Sequence, residues 1–206
     1  MFNIKFILFT YLFVVSTAFA DGFESKLSIQ LGLMSESLSD FSYQNVNVDA
    51  DGAGMFFNHT WGIDYQYSKN WSLQFGVTDI ENGQGDSLIT GADQLLRVKF
   101  RADLYRLENI YRTYLNQNIS FQGKVGVLIA KEKIALQQCN NSDLNFLFCR
   151  DDYRLINVSN DMKVSALLGV AVEYKLSESW TTSAFYNYAN YRNGYSEKGL
   201  LLSYKF

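Results

Sequence analysis

The sequence predicts an all-β chain, an eight-stranded antiparallel up-and-down transmembrane β-barrel. Three observations predict it. Apolar and polar residues alternate with period two along most of the chain, proline is absent, and Tyr and Phe together number thirty (14 + 16). Alternation is the pattern of strands with one apolar face. Proline lacks the N–H that a strand donates to its neighbour. Aromatic side chains favour strands and membrane interfaces. A soluble sandwich usually places proline in its loops, so near-continuous pairing with aromatic girdles accounts better for both features.

The first twenty residues read as an export leader. Lys5 is the only charge before Asp21, Phe6 to Val15 is nearly all apolar, and Ala18-Phe19-Ala20 supplies a small-x-small cleavage pattern. The apolar run is too short for a spanning helix, which needs about 20 residues. Cleavage after Ala20 is expected, giving a leader over 1–20 and one barrel domain over 21–206. Without Lys5 the chain keeps 18 − 1 = 17 basic residues against 21 acidic ones. That balance argues against a nucleic-acid partner.

The strands follow in order. Leu27, Ile29, Leu31 and Leu33 share one face of the first. Phe57, Trp61, Ile63, Tyr65 and Tyr67 share a face of the second, and Trp71, Leu73, Phe75 and Val77 of the third. The fourth, about 95–115, changes phase. Leu96, Val98, Phe100 and Ala102 have one parity, and Tyr105, Leu107, Tyr111 and Leu115 the other. A β-bulge near 102–105 reconciles them, or the first part is a loop extension. The composition of 103–114 also tolerates a helix, but both flanking segments are strand-like. Ile119 to Ile129, Met162 to Leu176, Trp180 to Tyr188 and Leu200 to Phe206 complete eight.

Three connections are tight and alike: Tyr67-Ser-Lys-Asn-Trp71, Leu115-Asn-Gln-Asn-Ile119 and Leu176-Ser-Glu-Ser-Trp180. The others, about 36–54, 79–94, 131–161 and 190–196, are longer and polar. Short turns on the periplasmic side and long loops outside put both termini in the periplasm.

In a membrane barrel the apolar face meets lipid and the polar face lines the interior. The expected inward set includes Lys26, Asp64, Arg106, Glu108, Arg112, Lys124, Glu173, Lys175 and Lys198. Asp64, Arg106, Glu108, Arg112, Lys124 and Glu173 are the expected charge network, because charges withdrawn from water need partners. An eight-strand interior holds its own side chains or one small ligand, so a packed network is favoured over a water path.

The chain ends on alternating Leu200, Leu202, Tyr204 and Phe206. With the leader and the meander, this ending resembles the small OmpA/OmpX-like outer-membrane barrels. The resemblance implies an outer-membrane location, contact with lipid and lipopolysaccharide, and a last strand (Leu202, Tyr204, Phe206) read by the periplasmic chaperone and barrel-assembly machinery. Full-length OmpA-type proteins carry a peptidoglycan-binding domain after the barrel. None follows Phe206, so no cell-wall tether is implied.

Cys139 and Cys149 both fall in the long third loop. An even count in an exported chain reads as a disulfide, restricting the loop by roughly 3 kcal/mol in the chain-entropy model. The alternative, a metal site, lacks further Cys or His nearby. No cofactor motif is present. His59 is the only histidine, and a His with Ser28 or Ser35 and an acid would suit a lipid-modifying enzyme. The stretch Phe57-Asn-His-Thr-Trp61 lacks the pattern of such deacylases and no G-x-S-x-G occurs, so His59 reads as an interfacial residue. The sequence therefore points to a non-enzymatic barrel serving envelope structure or surface interaction with an unnamed extracellular ligand. A narrow porin-like channel is the next reading, and an enzyme the third.

Overall fold

The computed structural model describes residues 26–43, 46–48, 58–89, 94–140 and 153–206. The leader, its cleavage site and Cys149 lie outside the described residues. The strands are β1 (Lys26–Leu38), β2 (Phe41–Tyr43), β3 (Val46–Val48), β4 (Asn58–Gln66), β5 (Trp71–Ile89), β6 (Gln94–Tyr114), β7 (Ile119–Asn140), β8 (Tyr153–Lys175), β9 (Trp180–Ala189) and β10 (Tyr195–Lys205). β1 and β4–β10 form a closed antiparallel barrel of eight strands, and β2–β3 is a separate small hairpin. β1 closes on β10 with Leu31 opposite Leu202 and Ser28 opposite Lys205. Closure leaves no unpaired edge in lipid, where unsatisfied backbone groups are costly.

The three tight turns share one geometry. The N–H of the first anchor donates to the carbonyl of the second: Tyr67 to Trp71 (3.2 Å), Leu115 to Ile119 (3.0 Å) and Leu176 to Trp180 (2.9 Å). The residue after the first anchor accepts from the second anchor's N–H. Ser68 does so from Trp71 (3.2 Å), Asn116 from Ile119 (2.8 Å) and Ser177 from Trp180 (3.1 Å). Ser and Asn can mimic a backbone acceptor in this way, which is why the three loops look alike in sequence.

At the other end the strands are longer than the loop boundaries drawn from sequence. Most of 79–94 and 131–161 is strand, because β5 runs to Ile89, β7 to Asn140, and β8 begins at Tyr153. Polar residues there read as loop, yet they belong to strands of a sheet that rises above its neighbours. β9 pairs β8 only from Leu167 onward.

The expected bulge in the fourth strand is absent. β6 pairs β7 without a register break from Gln94 to Tyr114. The irregularity lies in its neighbour β5, between Ile80 and Gly83. Val98, Phe100, Ala102, Leu104, Arg106, Glu108, Ile110 and Arg112 all point inward and are buried. The parity is constant, and what changes is the filling.

The outer face changes with it. Below, Tyr105 stands opposite Ile129 and Leu107 opposite Val127. Above, Asp103 stands opposite Lys131 and Arg101 opposite Lys133. Asp79 continues that first charged row on β5. The outer surface below is apolar, with Leu31, Val125, Leu168, Val170 and Leu200 exposed. One expected inward residue is corrected. Lys198 is exposed and lies on the face of Leu200 and Leu202. The alternation that turns those leucines outward turns Glu197, not Lys198, into the lumen. Lys26 is likewise exposed, at the short-turn rim.

Candidate functional site in the lumen

Two polar clusters cross the lower lumen. Nearest the short turns, Arg112 of β6 donates to Asp64 of β4 (Nη2 to Oδ2, 2.8 Å) and to the Ser72 hydroxyl. Its Nε lies 4.0 Å from Glu173 of β8. Glu173 also accepts from Gln122 (3.2 Å), Ser120 (3.4 Å) and Thr181 (3.4 Å), and the Lys205 ammonium lies 3.9 Å away. One carboxylate thereby draws together β6, β7, β8, β9 and β10.

One level higher, Arg106 pairs with Glu197 of β10 and donates to the Thr60 hydroxyl (2.6 Å). Asn187 of β9 donates to both Glu197 (2.7 Å) and Glu108 (3.2 Å). The Tyr195 hydroxyl lies 2.7 Å from Glu197 and 3.1 Å from Glu36, and Glu36 accepts from Asn58 (2.8 Å) and Thr78 (3.3 Å). Arg106, Glu108 and Arg112 are at most 2 % exposed. Buried charges are tolerated only with good geometry and extra hydrogen bonds.

Glycine makes room for these side chains. A Cβ at Gly76 would come within 2.8 Å of the Arg106 Nη2, and one at Gly169 would overlap the Asn187 amide. Lys124 is buried but stands apart, with its ammonium 5.4 Å from the Phe185 ring centroid rather than against a carboxylate. The sequence reading missed Glu197, Asn187, Glu36 and Tyr195. Parity alone could have found Asn187, between outward Tyr186 and Tyr188, and Glu197 by counting back from Leu202.

Above the charges the lumen is apolar. Leu104, Leu128, Leu167, Phe100, Tyr191 and Tyr195 belong to one buried cluster, joined by Phe41 and Val48 of the β2–β3 hairpin, which folds into the mouth. Phe41 meets Phe100 edge-on at 5.1 Å. Over it lies Arg192, 4.3 Å from the Phe41 ring and paired with buried Glu132. Arg192 and Asn193 take left-handed φ values of 50° and 67°, so the β9–β10 turn closes tightly over the mouth. Burial pulls the Arg192 guanidinium down, but its hydrogen bonds to Glu132 and that residue's opposite charge outweigh burial and hold it above its ordinary range.

His59 lies on the outer face, opposite Leu33. Ser28 is buried in the lumen, on the opposite face from His59, whereas Ser35, opposite Lys198 and two residues beyond Leu33, is on the same outer face as His59. Cys139 pairs in register with Leu95 and Tyr153 near the top of β7. Its candidate partner Cys149 is outside the described residues. Among the described residues no group of three or more His, Cys, Asp or Glu is arranged to hold a metal.

The family model described as OmpA-like transmembrane domain matches residues 33–200. The chain belongs to the OmpA-like transmembrane domain family. It is an outer-membrane β-barrel, and its apolar outer face meets membrane lipid. Solved structures are similar in fold. A major outer membrane protein from Thermus thermophilus is 9 % identical with a TM-score of 0.57, covering 89 % of this chain and 100 % of that one. OprG from Pseudomonas aeruginosa is 12 % identical with a TM-score of 0.54, covering 88 % and 96 %. Ail of Yersinia pestis is 14 % identical with a TM-score of 0.45, covering 88 % and 97 %. A comparison with curated proteins gives no match.

Proposed function

We propose that this OmpA-like barrel is a non-conducting, non-enzymatic outer-membrane scaffold that displays its tall β5–β8 sheet for interaction at the cell surface. The double filling of the lumen carries this reading. Two salt-linked levels and an apolar plug occupy an interior that in eight-stranded barrels is only wide enough for side chains. The channel reading has no comparable support. Of the two serines the enzyme reading offers, Ser28 is in the lumen and only Ser35, two residues beyond Leu33 on β1, shares the outer face with His59, so that reading rests on Ser35 alone. The display surface is the part of β8 above Leu167. There Leu155, Ile156 and Val158 are exposed, and among the described residues only β7 pairs with this stretch. A strand with a free edge offers backbone donors and acceptors to another chain.

Planar-bilayer recording of the refolded protein tests the scaffold reading. No conductance steps are expected, and regular steps from wild-type protein would replace it with the channel. The same reading holds that the mature chain starts at Asp21, checked by N-terminal sequencing of outer-membrane material. It also holds that Phe206 is read during assembly, so that its deletion lowers membrane levels. Cys139 and Cys149 are held to be bonded to each other, checked by alkylation without reductant.

A further inference from the structure

The outer face of the barrel changes from apolar to basic at one height on β6 and β7. Lys99 and Arg101 of β6 and Lys131 and Lys133 of β7 all point outward and are exposed. Arg101 stands directly opposite Lys133. Like charges facing each other across a ladder are destabilising, and an anion between them removes the repulsion. The described carboxylates beside these cations are Asp79 and Asp103, and Arg101 lies 4.0 Å from each. Among the described residues Lys99, Lys131 and Lys133 form no ion pair. Four cations against two carboxylates leave 4 − 2 = 2 positive charges on the patch. Directly below it the face is apolar, with Ile129 opposite Tyr105 and Val164, and Met162 exposed opposite Lys131.

The height of the patch says what covers it. On these strands the row Asp79–Asp103–Lys131 closes the apolar band. Two residues of about 3.3 Å each, on a strand tilted by about 40°, add about 5 Å of height. Arg101 and Lys133 therefore stand about 5 Å above the hydrocarbon and Lys99 about 10 Å, where the headgroup layer of a bilayer is about 5–8 Å deep. Short turns face the periplasm in such barrels, so this is the headgroup layer of the outer leaflet. We propose that these four residues bind a phosphate monoester of an acylated sugar in that leaflet, the chemistry of the lipopolysaccharide anchor, with the phosphate held between Arg101 and Lys133 and one acyl chain lying on Met162 and Val164. A guanidinium matches phosphate oxygens with two parallel N–H bonds, and the flexible lysines close from either side. Charge decides between headgroups. A phosphate monoester carries about −1.5 to −2 at neutral pH, which offsets the patch, whereas a zwitterionic headgroup carries no net charge. Asn160, exposed on β8 opposite Lys133, adds an amide beside the phosphate for sugar hydroxyls.

Calorimetric titration of the full-length barrel in octyl glucoside micelles tests the site, with lipid A carrying both phosphates and with the same lipid stripped of them. The phosphorylated form should bind about tenfold more tightly or better, the scale of hydrogen bonds to charged groups, and less tightly as salt rises. Lys133→Ser should weaken it about three- to tenfold. Lys163→Ser is the matched control. It removes one cation at nearly the same height but from the other face, where Lys163 stands opposite buried Ala130, and it should leave the affinity unchanged. Both variants should keep heat-modifiable mobility, and the comparison of the two lipids depends on no variant. Equal affinity for the two lipids overturns the proposal. So does an equal loss in the two lysine variants, which would make the attraction a matter of net charge. Phosphatidylglycerol bound as tightly as lipid A would assign the patch to phospholipid, and heparin bound more tightly would assign it to a soluble polyanion; either result removes the glycolipid site.

Discussion

The lower and upper halves of the lumen are lined by the same strand faces, yet one is charged and the other apolar. On β6 the inward residues run Val98, Phe100, Ala102, Leu104 and then Arg106, Glu108, Arg112, all buried. The outward residues run oppositely: Lys99, Arg101 and Asp103 above, Tyr105, Leu107 and Tyr111 below. The sheet does not turn over, but its surroundings do. Below the row Asp79–Asp103–Lys131 the outer solvent is hydrocarbon, so apolar residues face out and polar ones fill the interior. Above it the outer solvent is water, and β6 and β7 follow the rule of a soluble sheet, with Val98, Phe100, Ile134 and Leu136 turned into an apolar core. The hydrophobic phase change is therefore the edge of the membrane written into the sequence.

The largest effect is expected where the lower filling loses one partner. Glu197→Ala leaves the Arg106 guanidinium buried with, among the described residues, only Thr60 as a hydrogen-bonded partner, and should cost about 3–5 kcal/mol. Urea unfolding in vesicles, followed by tryptophan fluorescence, measures it. The double variant R106M/E197L, which removes both charges at similar volume, should cost clearly less than Glu197→Ala alone. A double variant as damaged as the single one would mean that the carboxylate acts through packing rather than charge.

In the upper filling the cost is a cavity. Leu104 is fully buried in the plug, and Leu104→Ala should destabilise by about 3 kcal/mol, within the range of buried leucine truncations. Conductance should stay absent, because both salt-linked levels beneath remain. Current through this variant alone would show that the plug, not the charges, seals the barrel.

The difference between the halves also sets what was legible in the sequence. Inside the membrane, alternation is strict, and the barrel class, the three short turns and the inward placement of Asp64, Arg106, Glu108, Arg112 and Glu173 follow from parity. Above the membrane β6 and β7 carry the opposite hydropathy at the same parity, so the fourth strand reads as bulged, and the polar stretches 79–94 and 131–161 read as loops. Lys198 is misplaced for the same reason: a polar residue is assumed to face inward at a height where the outer face has already become polar. The pairing of Arg106 with Glu197, 91 residues apart, depends on barrel closure and register, which no local pattern encodes. Neither does any sequence motif announce the β2–β3 hairpin folding into the mouth.

A smaller effect is expected where the lower filling depends on absence of a side chain. Gly76→Ala places a methyl within 2.8 Å of the Arg106 Nη2, and the buried guanidinium has little freedom to withdraw. Overpacking of this kind costs about 1–3 kcal/mol. In the R106M/E197L background, where the shorter side chain leaves space over Gly76, the same substitution should become nearly neutral. An unchanged penalty there would place the strain in the β5 backbone rather than against Arg106.

The smallest effect tests the position of the membrane edge itself. On β8 the outward residues Leu168 and Val158 are both exposed apolar side chains, 60 % and 38 % accessible, and hydropathy alone does not distinguish them. Their rows do. Leu168 stands opposite Val125 in the apolar band, whereas Val158 stands opposite Ala135, beyond the charged row through Lys131. A lysine on the lipid face costs about 2–4 kcal/mol near the midplane and about 0–1 near or beyond the interface. Leu168→Lys should therefore lower stability sharply, and Val158→Lys should change it by less than about 1 kcal/mol while leaving heat-modifiable mobility intact. Charge on Val158 would instead weaken whatever docks against the tall sheet, so it separates display from folding. A penalty at Val158 as large as that at Leu168 would put hydrocarbon around the upper strands, and the inversion of the two faces would then need another cause.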